Sequence, residues 1–208
     1  AAVNVLGTCN VLQAARTHGV ERVIYSGTSS AYGLKNTPPL REDMPNDCLN
    51  PYSVTKTGGE ELCKMYTKLF GLKTVILRYF NVYGERQPLK GQYAPVVGIF
   101  QRQVQNGQPM TIVGDGKQRR DFTYVKDVAN ANFLAMTSNN EEIFGEIFNV
   151  GTGTNISVLE LASLIGTETT HIPSRPGEAQ TTLANIDKIT SMLGWSSSIS
   201  IEEWLQDQ

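Results

Sequence analysis

The chain has 208 residues, of which 18 are basic and 20 acidic, giving a net charge of -2. This balance, and the absence of any run near the roughly 18 apolar residues of a transmembrane helix, lead us to expect no nucleic-acid or membrane partner. Because Cys9, Cys48 and Cys63 are too scattered for a disulfide framework or a zinc site, we expect a cytoplasmic protein without a bound metal.

Hydrophobic periodicity predicts alternating helices and strands along most of the chain. Helical spacing of apolar residues opens the chain, and short apolar strands follow at intervals. The predicted elements are helix 1–18, strand 22–26, helix 51–70, strand 73–79, helix 94–107, strand 110–113, helix 125–138, strand 146–150, and helices near 157–166, 185–193 and 201–206. This order is typical of an α/β fold with a parallel sheet and right-handed crossovers, followed by a small C-terminal unit.

A cluster of hydroxyl groups, Thr28, Ser29 and Ser30, follows the first strand. Ligands of open α/β sheets bind outside the carboxyl ends of the strands, so these side chains are candidates for a binding crevice. An ordinary Ser/Thr turn is the alternative interpretation. The strand at 73–79 also ends in polar and aromatic groups, in the segment 78–84, which makes a chance arrangement less credible.

Tyr52 and Lys56 lie four residues apart, on one face of the helix predicted for residues 51–70. Asn50 suits the N-cap and Pro51 the first helical position, so both groups would lie in the opening turns. The helix dipole and the ammonium group both favour an ionised phenol, which makes Tyr52 a candidate general base. Such a pair also occurs by chance on surface helices, and alone it does not decide the function.

Taken together, the motifs resemble those of the extended short-chain dehydrogenase/reductase family, and within it the nucleotide-sugar epimerases. The resemblance rests on the order and spacing of the segments 4–8, 28–33, 52–56, 78–84, 114–116, 120–122, 149–151 and 175–178. It implies a Rossmann-like, doubly wound parallel sheet and a smaller C-terminal α/β substrate domain. Residues 1–80 and about 125–150 would belong to the dinucleotide-binding domain, and residues 81–124 and 151–208 to the nucleotide-sugar-binding domain.

The glycine-rich turn with which members of this family bind the dinucleotide pyrophosphate is missing. No G-x-x-G-x-x-G occurs, and the first residues already follow a helical pattern. We therefore expect the chain to lack the first half of the cofactor domain, to expose the surfaces that this half would cover, and to be inactive alone. The expected cofactor, NAD, follows from the resemblance, because the acidic residue that distinguishes NAD from NADP would lie outside the chain.

The resemblance also implies a role for each candidate site residue. Thr28, Tyr52 and Lys56 would be catalytic, with Tyr52 accepting the proton of the sugar 4-hydroxyl and Lys56 holding the nicotinamide ribose. Further cofactor contacts would come from Asn4, Ser26, Tyr79 and Phe80. Substrate contacts would come from Ser29, Asn81, Tyr93, Thr111, Val113, Arg120, Arg175, Glu178 and Thr182, with the two arginines on the diphosphate. The alternatives are solvated loop arginines and ordinary core aromatic residues.

The implied reaction is the 4-epimerisation of a UDP-hexose through a transient 4-keto sugar. Relatives that dehydrate or decarboxylate carry acidic groups after the catalytic Thr, where this chain has Ser29 and Ser30, and this favours simple epimerisation. Thr182 stands where a large Tyr restricts relatives to unsubstituted hexoses, so we expect UDP-N-acetylglucosamine and UDP-N-acetylgalactosamine to be accepted. The alternatives are a 4,6-dehydratase, a decarboxylase, a 4-keto reductase, a 3,5-type epimerising enzyme, or a non-catalytic sensor of nucleotide sugars or dinucleotides.

Helices 1–18 and 51–70 match the pair that relatives pack across a two-fold axis, so the resemblance implies a homodimer. An apolar stripe on the second helix could supply its surface. The stripe consists of Leu62, Met65, Tyr66 and Leu69. The same residues fit equally well against the sheet, and the sequence leaves both possibilities open.

Overall fold

The computed structural model describes residues 1–91, 94–174 and 179–207. Its helices are α1 (Thr8–Thr17, preceded by a π-helical turn at Ala2–Gly7), α2 (Pro51–Phe70), α3 (Val96–Gln105), α4 (Val125–Thr137), α5 (Val158–Ile165), α6 (Asp187–Leu193) and α7 (Ile201–Gln206). Its strands are β1 (Arg22–Thr28), β2 (Lys73–Tyr79), β3 (Val82–Tyr83), β4 (Met110–Val113), β5 (Arg119–Arg120), β6 (Thr123–Tyr124), β7 (Ile147–Val150), β8 (Ile156–Ser157) and β9 (Thr169–Ile172). Every predicted element is present. The sequence did not predict β3, β5, β6, β8 and β9, because strands of two to four residues leave little periodic signal.

The larger half of the molecule is built on a three-stranded parallel sheet in the order β1-β2-β7. β1 and β2 pair along their whole length, from Arg22 opposite Lys73 to Thr28 opposite Tyr79, so both strands end at the same edge of the sheet. The other side of β1 has no strand partner within the described residues, in agreement with the expected open sheet edge. The predicted α/β class with a parallel sheet is confirmed.

Helices cover both faces of this sheet. α1 and α2 pack on one face, around Leu12, Tyr25, Cys63 and Ile76. The other face is covered by α4 and by α6, whose Ile189 and Leu193 join the cluster of the sheet. The Trp195 indole N–H, just beyond α6, donates to the Asp127 carbonyl at 2.9 Å. Part of the range 151–208 therefore packs against the sheet rather than within the predicted substrate unit, because the chain returns to bury these side chains.

A second core lies beyond the carboxyl ends of the strands. It is enclosed by α3, α5 and α7 and by small two-stranded pairs, of which β3–β6 and β4–β9 are parallel and β5–β8 is antiparallel. Its fully buried members are Tyr83, Val97, Phe100, Met110, Ile112, Leu161 and Ala162. The crevice between this core and the main sheet is where Thr28 and the end of β2 arrive.

The apolar stripe predicted for a dimer faces the sheet for the most part. Leu62 and Met65 pack against the core, and Tyr66 is buried and donates to the Gln13 side-chain carbonyl at 3.1 Å. Only Leu69 of the four is exposed, at 65 %. Of the two possibilities that the sequence left open, packing against the sheet therefore holds for three of the four residues. No helix in the described ranges is long and apolar enough to cross a membrane.

Other apolar side chains on the π-helical turn Ala2–Gly7, on α1 and on α2 are exposed. They are Val3, Leu6, Val11, Val54 and Phe70. Most of them lie on the helices that flank the unpaired edge of β1, which agrees with the expectation of uncovered helix faces. The homodimer itself stays a prediction.

Candidate active site

Helix α2, which carries Tyr52 and Lys56, begins as the sequence predicts. The Asn50 side-chain carbonyl accepts the Ser53 backbone N–H at 2.9 Å, the Ser53 hydroxyl bonds back to Asn50, and Pro51 occupies the first helical position. This reciprocal cap satisfies donors that the first turn of a helix leaves unpaired. It fixes the start of α2, and with it the direction in which the first two turns present Tyr52 and Lys56.

Tyr52 and Lys56 have different surroundings. The Tyr52 side chain is 50 % exposed and therefore accessible to a ligand. Lys56 is half-buried, and its Nζ lies 4.6 Å from the centre of the Tyr25 ring. Burial lowers the pKa of Lys56, although the nearby charges of Glu60 and Cys63 act in the opposite direction. Lys56 forms no salt bridge with any residue that the structure describes, so its ammonium protons can bind ribose hydroxyls.

Thr28 is the last residue of β1 and is 7 % exposed. Its Oγ1 accepts the Ser30 backbone N–H at 3.2 Å and caps the 3-10 turn Ser29–Tyr32. A hydroxyl that accepts a backbone N–H still has its own proton to donate. Both expectations for this segment are therefore met in part: it is a Ser/Thr turn, and it lies at the carboxyl end of a parallel strand.

Four predicted substrate residues surround one cavity of about 210 Å³, next to the end of β1. They are Ser29, Asn81, Arg120 and Thr182. Asn50, the N-cap of α2, lines the same cavity. The Asn81 amide donates to the Asp121 carbonyl at 3.0 Å and to Thr182 Oγ1 at 3.3 Å, so residues 101 positions apart in sequence are held together. No Asp or Glu within the described residues lines this cavity, which we call the sugar cavity.

A second cavity, of about 240 Å³, adjoins it and contains Thr111 and Val113 on β4. Asn81 and Arg120 line both cavities. The Gln103 side-chain amide donates to Thr111 Oγ1 at 2.9 Å and fixes that side of the strand. Most of the remaining wall is apolar and consists of Ala94, Val96, Ile99, Phe100, Val158 and Ile172. These walls suit a planar base, and we call this space the base cavity.

Arg120 is placed between the two cavities. Its Nη1 donates to the Arg119 carbonyl at 2.9 Å and to the Ala179 carbonyl at 2.8 Å. Because Arg120 lines both cavities, its guanidinium lies beside any anion that extends from the sugar cavity into the base cavity. Planar, paired donors of this kind match phosphate oxygens.

Some of the predicted cofactor residues lie close together in the structure. Asn4, Ser26 and Lys56 line a third cavity, of about 400 Å³, beside the unpaired edge of β1. Most of this cavity is apolar, as in a packing surface, so only its polar end suits a cofactor. The Tyr79 hydroxyl reaches Ser26 Oγ at 3.1 Å across the strands and donates to Asn132 at 3.1 Å.

Phe80 is completely buried, in a cluster with Tyr32, Leu40 and Ala184. It belongs to the core beneath the crevice, because the segment 29–40 folds over it, and we leave it out of the cofactor contacts. Thr28 and Tyr52 line none of the three cavities. Tyr93, Arg175 and Glu178 lie outside the described residues.

Asp121 is a site residue that the sequence did not single out. It is fully buried, and its carboxylate accepts the backbone N–H groups of Thr152 at 2.7 Å, Gly153 at 3.2 Å and Ala184 at 3.0 Å. Burial raises the pKa of Asp121, and these hydrogen bonds act in the opposite direction. Asp121 ties the loops next to the sugar cavity together. In the sequence, Asp121 stands between the predicted substrate residue Arg120 and the apolar Phe122, and this position was the available indication that it belongs to the site.

Comparison with known proteins assigns the chain to a family. The profile of the "NAD dependent epimerase/dehydratase family" matches residues 1–151. The chain belongs to this family. It is 40 % identical to a putative UDP-glucose 4-epimerase of Methanocaldococcus jannaschii, with 98 % of this chain and 67 % of the relative covered. It is 41 % identical to a UDP-N-acetyl-alpha-D-glucosaminuronate decarboxylase of Bacillus cytotoxicus, over 81 % of this chain and 52 % of that one.

The crystal structure of a UDP-glucose 4-epimerase of Thermotoga maritima with UDP-glucose superposes with a TM-score of 0.93, at 34 % identity, covering 99 % of this chain and 67 % of the other. The chain thus spans about two thirds or less of the length of these relatives. Membership in the family confirms the predicted resemblance, the Rossmann-type fold and the association with NAD. Within the described residues, no group of three or more His, Cys, Asp or Glu side chains is arranged to hold a metal ion.

Proposed function

We propose that the protein containing this chain epimerises carbon 4 of a UDP-hexose, including the 2-acetamido sugars. The observation that carries the proposal is the sugar cavity. Ser29, Asn81, Arg120 and Thr182, predicted from separate motifs, surround one space between the end of β1 and the N-cap of α2. A cation together with neutral hydrogen-bonding groups around one space suits a sugar linked to a diphosphate.

Three residues of this chain would carry out the proton transfers. The Tyr52 phenolate accepts the proton of the sugar 4-hydroxyl, and Thr28 hydrogen-bonds the same oxygen. Lys56 stabilises the phenolate and holds the ribose of the nicotinamide, since its ammonium group lies over the Tyr25 ring and has no salt bridge among the described residues. NAD would supply a reversible hydride acceptor. Arg120 keeps the diphosphate bound while the keto sugar turns its other face to the same groups.

Epimerisation fits the sugar cavity better than elimination. Loss of water from a keto intermediate needs an acid near the sugar, and no carboxylate among the described residues lines this cavity. Ser29 and Ser30 lie where dehydrating relatives carry acids. The decarboxylase among the relatives supports the acetamido sugar as a substrate class, since its name includes an N-acetylated sugar. A decarboxylase is therefore the competing function for a uronate substrate.

Thr182 is the basis for including acetamido sugars. Its Oγ1 is held by the Asn81 amide and by the Asp121 backbone N–H, both at 3.3 Å, so its side chain stays at the wall of the sugar cavity. A tyrosine there would extend into the space. We expect Thr182→Tyr to abolish turnover of the acetamido sugar while glucose is still converted, and Thr182→Ser to convert both.

The test uses the full-length protein, incubated with NAD and separately with UDP-glucose, UDP-N-acetylglucosamine and UDP-glucuronate. Products are identified by proton NMR of the sugar ring. We expect the 4-epimer of the first two, without net reduction of NAD. Release of carbon dioxide or of a keto sugar would overturn the proposal in favour of a decarboxylase or dehydratase. Failure with the acetamido sugar alone would refute only the argument from Thr182.

A further inference from the structure

A buried ion pair lies beneath helix α2 and has no part in the proposed proton transfers. Arg78 on β2 donates to Glu60 on α2, from Nη2 to Oε2 at 2.6 Å and from Nε to Oε1 at 3.1 Å. Glu60 is 0 % exposed and Arg78 is 1 % exposed. Arg78 Nη2 also donates to the Asn46 side-chain carbonyl at 2.8 Å, so the pair ties α2, β2 and the preceding loop together.

The sheet makes room for the pair at one position. Gly27 lies directly beside Arg78 in the register of β1 and β2. A methyl group on Gly27 would lie 2.9 Å from Glu60 Oε1 and 3.3 Å from Arg78 Cγ. The missing side chain of Gly27 therefore lets the carboxylate of α2 approach the sheet closely. A helix seated on such a contact cannot rotate or slide without breaking it.

The pair lies one helical turn beyond Lys56 and two beyond Tyr52, on the same side of α2. The Tyr25 hydroxyl, next to the gap at Gly27, donates to the Lys56 carbonyl at 3.0 Å. Any shift of α2 at Glu60 is therefore transmitted to the backbone that carries Lys56. The connection is short, continuous and rigid.

Stability alone does not account for an ion pair at this position. Removing two charges from water costs about as much as their attraction returns, and apolar pairs often replace buried ion pairs without loss. Burial disfavours the charged form of Arg78 and so acts to lower its pKa. Hydrogen bonds and electrostatic interactions with Glu60 and Tyr32 outweigh burial, and the pKa of Arg78 is raised. Arg78 Nη1 is buried without a partner within the described residues, which adds a further cost. The hydrogen bonds of the ion pair form only in one relative orientation of α2 and β2, whereas an apolar contact would allow several.

We propose that Glu60 and Arg78 are positioning residues, which fix the rotation and height of α2 so that Tyr52 and Lys56 meet the sugar and the ribose. The inference rests on the proposed epimerase function and adds residues that touch neither ligand. A displacement of about 1 Å at reacting groups can cost about 100-fold in rate, so a modest shift of the helix is sufficient.

The deciding variant is the double substitution Glu60→Met with Arg78→Met in the full-length protein, since it removes both charges and keeps the volume. We expect its melting temperature to equal or exceed that of the wild type, while kcat falls about tenfold and KM for the UDP-sugar changes less than twofold. Wild-type kcat in the folded double variant would overturn the proposal. A fall in the melting temperature that accompanies the fall in kcat would also overturn it, because the pair would then have a merely structural role.

Glu60→Gln and Glu61→Gln form a matched pair of single variants. The neighbouring Glu61 is exposed and, among the residues that the structure describes, forms a salt bridge only with Lys64, at 2.9 Å, so its variant controls for charge removal on the same helix. Amide hydrogen exchange of the peptide 50–58 should be faster in Glu60→Gln and unchanged in Glu61→Gln. This readout does not depend on the reaction. An inactive wild type would refute the proposed function, and unchanged exchange in Glu60→Gln would refute the positioning role, whichever enzyme the protein is.

Discussion

The two walls of the crevice are held together in different ways. The helix wall consists of α2 on the sheet, with close contacts at Gly27 and Gly59 and one buried ion pair. The loop wall, which carries Asn81, Arg120 and Thr182, consists of short strands and turns joined by hydrogen bonds, many of them to the buried carboxylate of Asp121.

This difference follows from what each wall has to do. Proton transfer needs groups fixed to within a fraction of an ångström, and a helix packed on a sheet supplies this precision. Recognition of a nucleotide sugar needs many polar contacts, which loops provide when their backbone groups are satisfied internally. The helix wall should therefore be sensitive to added volume, and the loop wall to lost polar groups.

The largest effect is expected from Tyr52→Phe, on the helix wall. Removal of the phenolic oxygen removes the general base, and we expect kcat to fall by about 10² to 10⁴ while NAD stays bound. Turnover and bound cofactor are both measured on the purified full-length protein. A non-catalytic sensor would show no turnover in the wild type and an unchanged ligand response in the variant, so this substitution also separates the two classes of function.

Arg120→Gln tests the loop wall. Loss of a charged hydrogen bond to the diphosphate should weaken binding by about 1.5–3 kcal/mol, which corresponds to a rise in KM of roughly 10- to 150-fold with little change in kcat. Arg119→Gln is the control, because the Arg119 side chain binds Asn155 and Glu160 instead of lining the sugar cavity. Equal KM values for the two variants would show that Arg120 does not anchor the substrate.

The sequence predicted the helix wall better than the loop wall, for a physical reason. The start of α2, the end of β1 and the spacing of Tyr52 and Lys56 depend on neighbouring residues, and local patterns record them. The contact of Asn81 with Thr182 joins positions 101 residues apart, and no local pattern contains it.

Buried charges were also beyond the reach of sequence patterns. From the sequence alone, a glutamate in a helix is expected to be solvated. The structure explains why Glu60 is buried, because Gly27 lies beside Arg78 in the sheet and leaves space for the carboxylate. The same limit applies to α6, whose apolar residues fit either core when taken alone. Apolar periodicity shows that a face is buried, but not against which surface, which is why the sequence left the stripe on α2 open between a dimer interface and the sheet.

Gly59→Ala tests the steric precision of the helix wall. A methyl group at Gly59 would lie 2.6 Å from the Cζ of Tyr25, and we expect a loss of about 1–3 kcal/mol in the free energy of unfolding. The adjacent Gly58 is the matched control, since a methyl group there would meet Val5 at 3.5 Å, an ordinary van der Waals contact, and no other described residue within 4 Å. Gly58→Ala should stabilise the protein by up to about 1 kcal/mol through helix propensity. Denaturant unfolding of both variants measures the difference, and equal values would contradict the close approach of helix and sheet.

The smallest effect is expected from Glu85→Gln, which tests a hydrogen bond of the loop wall by its dependence on pH. The Tyr124 hydroxyl donates to Glu85 at 2.7 Å and Lys126 lies 3.3 Å away, and together with backbone hydrogen bonding they lower the pKa of Glu85 to about 2. Between about pH 2 and the ordinary value of 4.5, the unfolded chain binds the proton and the folded chain does not, so stability rises with pH in this window.

The wild type should therefore melt at a higher temperature than Glu85→Gln above pH 4.5, and the advantage should shrink as the pH falls towards 2. Thermal melts across this range test the prediction, with Glu61→Gln on α2 as the control for loss of an exposed carboxylate. The effect should be small, because the carboxylate is solvated. A constant difference between wild type and Glu85→Gln at every pH would show that packing, and not the ionised carboxylate, joins the segment after β3 to β6.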